Sequence, residues 1–407
     1  MATLPGPHIG VLSSLFPSSI QPGAGLFIRE RMFRVARRLP LSVVAPTPWF
    51  PFQQLLRRWK PHFRPGAPAY EEQQGIPVWY PRFLSLPGVL KQWDGRAMAY
   101  AAYPRFAALR RAGRLDLIDA HFAYPDGYAA MLLGRRLNVP VTITLRGNEE
   151  GRMRDPRLAP KLRAALMGAT RVFAVADSLR QIALESGVPE ERTEVIGNGV
   201  DAERFRPRDR NAARTALGLP LDAPVLISVG GLVERKGFHR VIEIMPALCQ
   251  RWPGLTYLII GSAGPEGDMR AALEAQVEAL GLGERVRFLG HLPPAALPEP
   301  LSAADVFVLA TRNEGWANVF LEAMACGLPV VTTDVGGNRE VVCRPELGEI
   351  VTFGDSAALE AALDRALGQS WDRAVIRAYA EANNWDGRID LLCRNFTELA
   401  NPERNLK

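Results

Sequence analysis

The chain has 407 residues, of which 47% are hydrophobic and 23% are charged, a composition typical of folded soluble proteins. This length favours two or three domains over one. No apolar run reaches the roughly 18 residues that a membrane-spanning helix needs, and Pro5, Pro7 and Pro17 interrupt the pattern of a signal peptide. We therefore expect a protein that starts and stays in the cytoplasm.

The basic residues are concentrated at the start of the chain. Residues 1–114 contain 16 Arg and Lys against 4 Asp and Glu, a net charge of +12, whereas the whole chain carries only +6. The remaining residues are therefore net acidic. This asymmetry suggests that the first quarter of the chain faces an anionic partner, either nucleic acid or a membrane surface.

Short apolar runs alternate with amphipathic stretches in the first half. The runs have strand length and lack polar alternation, as expected of parallel strands that are buried on both faces. The predicted strands are His8–Ser13, Leu41–Ala45, Leu115–Phe122, Val141–Arg146 and Arg171–Ala176. The predicted helices between them include Leu26–Leu39, Gly127–Leu137 and Ser178–Ser186.

The second half repeats the alternation after a polar, proline-containing segment, Phe205–Asn211, which is typical of a linker. The predicted strands are Val225–Gly230, Tyr257–Gly261, Val286–Gly290, Val306–Ala310, Val330–Thr333 and Ile350–Phe353. The predicted helices are Phe238–Cys249, Met269–Leu280, Asn318–Cys326 and Ser356–Leu367.

This order predicts an α/β fold with two Rossmann-like domains, residues 1–204 and 205–384. A last helix, about residues 385–407, is expected to pack back on the first domain. Parallel sheets bind ligands beyond the carboxyl ends of their strands. We therefore expect the functional site in a cleft between the two domains.

The strongest motif is the segment Glu314–Glu322, which follows a predicted strand and opens a predicted helix. The free N–H groups and the dipole of a helix N-terminus favour an anion. Gly315 allows a phosphate to approach the backbone closely. Glu322, one turn inside the helix, is placed to accept hydrogen bonds from a ribose. Judged by spacing alone, exposed glutamates on an ordinary strand–loop–helix unit are an equally good interpretation.

A second motif, Ser228–Gly237, directly follows the first strand of the second half. Gly230 and Gly231 admit a ligand to the backbone, and Arg235 and Lys236 provide the charge that a diphosphate needs. The segment lacks the GxxxxGK[ST] spacing of a P-loop and the GxGxxG spacing of a dinucleotide fingerprint.

Together these segments resemble the retaining family 4 glycosyltransferases, which have the two-domain GT-B architecture. The resemblance covers nearly the whole chain and is most specific at Glu314–Val331, Gly230–Gly237 and Asn198–Asp201. The segment His121–Gly127 is similar to a subgroup that makes polysaccharides and cell-wall polymers of the teichuronic-acid type. The resemblance implies sugar transfer from a nucleotide diphosphate sugar to a glycan or lipid-linked acceptor.

The resemblance also implies roles for the motif residues. Arg235 and Lys236 contact the donor diphosphate, Glu322 contacts the ribose, and Glu314 contacts the transferring sugar. The amides of Asn318 and Val319 are expected at the distal phosphate. One position departs from the family: many members carry arginine where this chain has Gly231, and Arg235 is expected to supply that charge.

On the first domain, His121 ends a predicted strand, where the family places a histidine near the reacting sugar. A neutral imidazole can hydrogen-bond a sugar hydroxyl or polarise the acceptor. Gly23 and Gly25 match the family's glycine loop, which approaches the donor phosphate and the acceptor, and Arg146 is expected on the acceptor side. Ordinary turn chemistry is the alternative for these loops.

No D-x-D sequence, the metal-binding motif of the other major glycosyltransferase fold, occurs in the chain. Metal-independent catalysis without a cofactor is therefore expected, with cations and a helix terminus stabilising the departing diphosphate. The family implies retention at the anomeric carbon, by a same-face mechanism in which the leaving phosphate helps to deprotonate the acceptor.

A third segment interleaves aromatic and basic residues after the second predicted strand. Such a pattern suits anionic lipid headgroups, although single-stranded nucleic acid or a buried loop over the acceptor pocket would also fit. The residues predicted to face the membrane are Trp49, Phe52, Arg57, Arg58, Trp59, Lys60 and Arg64.

Two other functions remain open at this point. A nucleotide-sugar 2-epimerase of GT-B fold would keep the donor site but transfer nothing. A protein that binds nucleic acid through its basic region belongs to a different class, but no RNP-type or helix-turn-helix pattern supports it. We therefore expect a nucleotide-sugar donor and an anionic membrane surface as partners, and no nucleic acid.

Overall fold

The computed structural model describes residues 6–59, 66–264 and 266–401 of the chain. Contacts separate two compact units, one formed by the described residues up to 198 and from 386 onward, the other by the described residues of 199–385. The segment Phe205–Asn211, predicted as a linker, belongs to the second unit. Phe205 is buried in the core of that unit, and a helix begins at Arg210. The chain passes between the units at 198–199 and 385–386.

The first unit consists of strands and helices in alternation. Its strands are β1 (Ile9–Leu12), β2 (Leu41–Val44), β3 (Thr47–Trp49), β4 (Tyr70–Gln73), β5 (Ile76–Trp79), β6 (Arg82–Leu84), β7 (Leu117–His121), β8 (Val141–Leu145), β9 (Arg171–Ala174) and β10 (Thr193–Val195). Its first helices are α1 (Leu26–Val35), α2 (Gln53–Trp59), α3 (Asp94–Arg111), α4 (Tyr128–Leu137), α5 (Glu149–Met153), α6 (Ala159–Gly168) and α7 (Asp177–Glu185).

In the part of the chain that the structure describes, eight of these strands form one sheet in the order β10-β9-β8-β7-β1-β2-β5-β4. The neighbouring strands are parallel except β4 and β5. The strand order reverses between β1 and β7, so the loops that follow these two strands leave the sheet side by side at a switch point. Strands β3 and β6 form a separate parallel pair.

The second unit repeats the alternation. Its strands are β11 (Val225–Val229), β12 (Thr256–Ile260), β13 (Val286–Gly290), β14 (Val306–Leu309), β15 (Val330–Thr333) and β16 (Gly348–Val351). Its helices are α8 (Arg210–Ala216), α9 (Phe238–Arg251), α10 (Arg270–Ala279), α11 (Pro298–Ala303), α12 (Asn318–Ala325), α13 (Asn338–Val341), α14 (Ser356–Gly368) and α15 (Arg373–Ala382).

The sheet of the second unit has the order β13-β12-β11-β14-β15-β16, with parallel neighbours throughout its described residues. Alternate side chains enter two separate cores. On β11, Val225 and Ile227 join one core with α11, α12 and α15, and Leu226 joins the other with α9, α10 and α14. Both faces of the sheet are therefore buried, which explains the continuous apolar runs of its strands.

The last helix, α16 (Trp385–Ala400), returns the chain to the first unit. Arg38 forms an ion pair with Asp390. Arg171 donates a hydrogen bond to the Asn395 side chain. The Phe173 and Phe396 rings pack edge to face, with centroids 6.1 Å apart.

The predicted α/β class with parallel sheets is confirmed, and each predicted strand and helix occurs within a few residues of its expected bounds. The antiparallel β4–β5 pair, the β3–β6 pair and α3 were not predicted. Strand β4 is the polar sequence Tyr70–Gln73, and α3 contains Pro104, which sequence rules place outside a helix. No helix among the described residues is long and apolar enough to span a membrane.

Candidate functional site

The two motifs of the second unit lie on neighbouring loops. Strands β11 and β14 are adjacent and parallel, and the strand order reverses between them. The loops that follow them therefore leave the same edge of the sheet. The backbone amide of Arg312 donates to the carbonyl oxygen of Arg235 (2.8 Å), as does the Thr311 hydroxyl (3.1 Å). The structure thus brings together motifs separated by some 80 residues of chain.

Three predicted residues form one ion-pair cluster on these loops. The Lys236 ammonium contacts the Glu314 carboxylate. Arg235 Nη1 donates to Glu314 Oε1 (3.2 Å) and to the Asn313 carbonyl oxygen (2.9 Å). The side chains are 27% exposed for Arg235, 16% for Lys236 and 9% for Glu314. Partial burial reduces solvent screening, so this cluster is more strongly coupled than a surface pair.

Arg235 has a further partner that the sequence did not single out. Its Nε and Nη2 atoms donate to the carboxylate of Glu266, at distances between 2.9 and 3.1 Å. Glu266 follows β12, the other neighbour of β11 in the sheet. Glu266 belongs to no sequence motif. It meets Arg235 only because β11 and β12 are neighbours in the folded sheet.

Helix α12 begins beside the cluster. Its N-cap residue, Ala317, provides no side-chain cap. Gly315 is buried, whereas Asn318, Val319 and Glu322 are half-buried on the first turn and a half of the helix. Glu314 lies only four positions before the start of α12 at Asn318, so the carboxylate that holds both cations closely precedes the N-terminus of this helix.

Glycines hold both loops in place. Gly237 ends the 3-10 turn Glu234–Lys236 with φ 76°, and a Cβ there would overlap the carbonyl oxygen of Ala310. Gly336 has φ 51°, and its Cβ would overlap the carbonyl oxygen of Glu314. At the predicted positions Gly230 and Gly231, by contrast, a Cβ would make only ordinary contacts, beyond 3.5 Å. The required glycines are therefore 237 and 336, and Gly336 was missed because it lies outside both motifs.

In the first unit, His121 ends β7 with a completely buried side chain. Arg146, which follows β8, donates from Nε to His121 Nδ1 (3.1 Å). Nδ1 is therefore the acceptor, so the neutral ring carries its proton on Nε2, 3.4 Å from Asp119 Oδ2. Burial, followed by the charges of Arg146 and Arg31, lowers the pKa of His121 well below its usual value. Both nitrogens of this imidazole face protein groups, Arg146 at Nδ1 and Asp119 at Nε2.

Further buried side chains complete this network. Arg31 and Arg146 both donate to the Asn198 side-chain oxygen, at 3.4 and 3.3 Å. Asp119 accepts from Thr142 Oγ1 (2.7 Å), and burial raises its pKa to about 6. Asp119 and Arg31 were not predicted. Arg31 lies inside the predicted helix α1, where a buried arginine is not visible from periodicity.

The glycine loop lies beside this network, after β1. Ser14 donates its backbone amide and its hydroxyl (3.0 Å) to the buried carboxylate of Asp126, which joins the loop after β1 to the turn after β7. Gly25 has φ 67°, and a Cβ there would overlap the Leu15 carbonyl oxygen, so local packing requires this glycine. A Cβ on Gly23 would meet nothing within 4 Å.

The structure describes only some of the residues predicted to face the membrane. Trp49 lies in β3 and is half-buried, Phe52 is 80% exposed and Arg58 is exposed. Arg57 and Trp59 lie in α2, but their side chains are not described. Lys60 and Arg64 fall outside the described residues. Within the described residues, no group of three or more His, Cys, Asp and Glu side chains is arranged to hold a metal ion.

Two protein-family models match the chain. "Glycosyltransferase Family 4" matches residues 53–204, and "Glycosyl transferases group 1" matches residues 209–383. The putative teichuronic acid biosynthesis glycosyltransferase TuaC of Bacillus subtilis is 29% identical over 340 residues, which cover 80% of each chain. D-inositol 3-phosphate glycosyltransferase of Geodermatophilus obscurus is 32% identical over 318 residues, 74% of this chain and 70% of that protein.

Solved structures match over nearly the full length. Sucrose-phosphate synthase from Thermosynechococcus elongatus superposes with a TM-score of 0.77 at 22% identity, covering 97% of this chain and 99% of that one. HepE of Anabaena, solved in complex with UDP, gives a TM-score of 0.73 at 21% identity, with 96% and 99% covered. At this identity the likeness shows the fold, which is the two-domain GT-B architecture.

The contact between Gly336 and Glu314 yields a stability prediction. Gly336→Ala adds a Cβ that overlaps the Glu314 carbonyl oxygen, whereas Gly354→Ala, at φ 86° with nothing within 4 Å, adds only left-handed strain. We expect Gly354→Ala to lower the apparent Tm by about 3 °C, and Gly336→Ala by about 8 °C or more. Thermal unfolding of the two variants checks this. Equal losses would show that the Glu314 loop shifts freely.

Proposed function

This chain belongs to glycosyltransferase family 4, and from that membership we propose that it moves a sugar from a nucleoside diphosphate sugar to a glycan or lipid-linked acceptor, with retention at the anomeric carbon. The observation that carries the proposal is the cluster of Arg235, Lys236 and Glu314 beside the N-terminus of α12. Cations, a carboxylate and a helix N-terminus at one sheet edge suit a diphosphate that is linked to a sugar.

We assign the donor to this edge of the second unit. Arg235 and Lys236 neutralise the diphosphate, and the amides of Asn318 and Val319 bind its distal phosphate. Glu322, half-buried one turn further along α12, accepts hydrogen bonds from the ribose. Glu314, which is already bound to both cations, accepts hydrogen bonds from the hydroxyls of the transferring sugar.

Catalysis in this proposal is electrostatic. As the bond between the anomeric carbon and the phosphate oxygen breaks, negative charge develops on the diphosphate, and fixed cations stabilise it without the reorganisation that water requires. The departing phosphate oxygen takes the proton of the acceptor hydroxyl, which attacks from the same face and so retains the configuration. The protein's own cations perform this work, so no metal ion and no other cofactor takes part.

The first unit binds the acceptor. Arg146 follows β8, and its orientation is fixed by His121 on one side and Asn198 on another. His121, completely buried, acts through Arg146 and is therefore a positioning residue in this proposal. Gly23 and Gly25 belong to the loop after β1, which Asp126 ties to the same edge of the sheet.

We place the reaction in cell-surface polysaccharide or glycolipid synthesis, at the cytoplasmic face of the membrane. TuaC is named for teichuronic acid biosynthesis, and the Geodermatophilus obscurus relative for D-inositol 3-phosphate. The net charge of +12 over residues 1–114 supports contact with anionic lipid.

Exposed apolar residues also support membrane contact. Phe52 and Leu90 both have positive φ, 64° and 53°, and both are exposed. Non-glycine residues rarely adopt this conformation, which here presents apolar side chains to solvent. Strand β3 leads into the segment with Phe52 and strand β6 into the segment with Leu90 and the exposed Trp93. Because β3 and β6 are parallel neighbours, both segments leave the same edge.

The two motif glutamates should have separable effects. Glu322→Ala should weaken nucleoside diphosphate binding about tenfold or more, because a hydrogen bond to a charged group is lost. Glu314→Ala should chiefly lower kcat, by about 100-fold, since its contacts tighten in the transition state. Titration calorimetry and steady-state kinetics measure the two effects. Glu278→Ala, on the exposed face of α10, is the control and should change neither. Wild-type turnover in the Glu314 variant would remove this residue from the site.

Activity should survive metal removal. Excess EDTA should reduce the rate only modestly, because Arg235 and Lys236 supply the positive charge. Lys236→Ala should lower the rate by about 100-fold or more, as expected when a charged stabiliser is lost. The transfer assay is run after chelation and again after adding Mg²⁺ or Mn²⁺. Complete inhibition that either ion reverses would contradict the metal-independent mechanism.

Membrane binding should depend on charge. Each cation near an anionic bilayer contributes about 1 kcal/mol, and salt weakens the attraction. The protein should therefore sediment with phosphatidylserine-containing liposomes at low salt and ignore neutral ones. The test variant replaces the basic residues of the segment by serine: Arg57, Arg58, Lys60 and Arg64. It should no longer sediment, while nucleotide binding should stay unchanged.

A matched control loses the same charge elsewhere on the first unit. It replaces four exposed arginines by serine. One follows the end of α1, and the others lie at or just after the end of α3: Arg37, Arg110, Arg111 and Arg114. This control should still bind anionic liposomes. If both variants bind as wild type does, the segment is a loop without a membrane role and a soluble acceptor is favoured.

A further inference from the structure

Arg235 is held by two carboxylates at once. Glu314 Oε1 accepts from Nη1 (3.2 Å), while Glu266 accepts from the opposite side of the guanidinium, from Nε (3.0 and 3.1 Å) and Nη2 (2.9 Å). The pair with Glu266 has the parallel, two-point geometry that a guanidinium forms with carboxylate or phosphate oxygens. Glu266 therefore occupies the face of Arg235 that is best shaped for a phosphate.

The charges of the cluster cancel in this arrangement. Lys236 and Arg235 contribute two positive charges, and Glu314 and Glu266 contribute two negative ones. The hydrogen bonds from Arg235 lower the pKa of Glu266, so this carboxylate is ionised at neutral pH. A neutral cluster attracts a diphosphate weakly, which means that one carboxylate has to leave before both cations can act on it.

Glu314 is not free to leave. Its side chain is 9% exposed, and its carbonyl oxygen lies against Gly336 and accepts from the amide of Gly337 (3.3 Å). Thr311 Oγ1 also lies 3.5 Å from Glu314 Oε1 and 3.2 Å from the Asn313 carbonyl oxygen. Because its carboxylate is nearly buried and bound to both cations, Glu314 exchanges partners less easily than an exposed carboxylate does.

Glu266 can leave without disturbing the core. Its side chain is 52% exposed. The described residues of its loop close on themselves, since Gly264 and Gly267 exchange backbone hydrogen bonds of 2.9 and 3.1 Å. A side-chain rotation of Glu266 therefore breaks only its contacts with Arg235 among the hydrogen bonds described for it.

We propose that Glu266 is the counter-ion of the donor site: it occupies Arg235 in the empty enzyme, and the diphosphate of the donor displaces it. This inference rests on the proposed function, in which the donor diphosphate binds to Arg235. Glu266 then lowers the affinity for every diphosphate ligand, substrate and product alike. It also returns to Arg235 as the product diphosphate leaves, which favours release.

The loop of Glu266 lies next to the position where this chain departs from its family. A Cβ on Gly231 would lie 3.9 Å from Gly264 Cα and from the Ser262 carbonyl oxygen. The resemblance places an arginine at position 231 in many members, and here the neighbouring loop provides a carboxylate instead. Arg235 and Lys236 supply the charge that acts on the diphosphate in this proposal, and Glu266 controls access to Arg235.

The test measures diphosphate affinity by titration calorimetry on the full chain. UDP, GDP and ADP are titrated first, and the nucleotide that binds wild type most tightly is carried forward together with inorganic pyrophosphate. Glu266→Gln keeps the shape of the side chain but removes its charge. We expect both ligands to bind about fivefold more tightly, the effect of removing one partly exposed ion pair. The KM for the donor should fall by a similar factor.

The matched control is Glu274→Gln. Glu274 lies on α10 of the same unit, is 50% exposed and pairs with Arg270, so the substitution removes the same charge at similar exposure. Its affinity for the nucleotide and pyrophosphate should equal that of wild type. An equal gain in both variants would mean that net charge alone is responsible, and this would overturn the proposal.

A double-mutant cycle with Arg235→Ala tests the contact itself. Glu266→Gln should have no effect in the Arg235→Ala background, because no guanidinium remains to be freed. The same fivefold gain in that background would falsify the proposal. Weaker binding by Glu266→Gln in the wild-type background would contradict it too, since Glu266 would then be a ligand of the donor. If wild type binds none of the nucleotides and no pyrophosphate, the proposed function itself fails, and the inference with it.

Discussion

In the proposed function, the second unit's chemistry depends on the contact of Arg235 and Lys236 with Glu314. This contact joins two loops that are distant in sequence, and it exists because β11 and β14 are parallel neighbours. Two glycines make the approach possible, since any Cβ at 237 or 336 would overlap a carbonyl oxygen of the loop after β14. Backbone geometry places the charges, and the charges hold one another in position for a ligand.

The same topological constraint operates in both units. Each sheet extends in two directions from its first strand, β1 or β11, which places a switch point between β1 and β7 and between β11 and β14. The loops that follow the two strands of each pair diverge and leave room for a ligand. In the first unit, Ser14 and Asp126 bridge these loops, and in the second unit Arg235 and Glu314 do so. Each unit therefore links the two loops at its switch point, but with different side chains.

The sequence predicts those features that depend on local pattern. Strands such as β11 and β14 are buried on both faces, so each is an uninterrupted apolar run. Arg235 and Glu314 follow such strands within a few residues, which makes their meeting predictable from parallel topology. Glu266 and Asp119 escape prediction because their significance comes from a partner elsewhere in the sheet. Strand β4, half-exposed and polar, escapes because it pairs antiparallel at the sheet's edge.

The two edges differ in how their charges are buried, and this difference assigns them different tasks. In the first unit, Arg31 and His121 are completely buried, so removing a partner from either would leave a polar group without solvent. Such a network can fix the orientation of Arg146 but cannot exchange partners easily. In the second unit, Arg235 and Glu266 remain partly exposed, so one ion can replace another at moderate cost. Binding a charged donor requires such an exchange, whereas orienting an acceptor hydroxyl requires rigidity. This difference in burial supports the proposed assignment of the donor to the second unit and of the acceptor to the first.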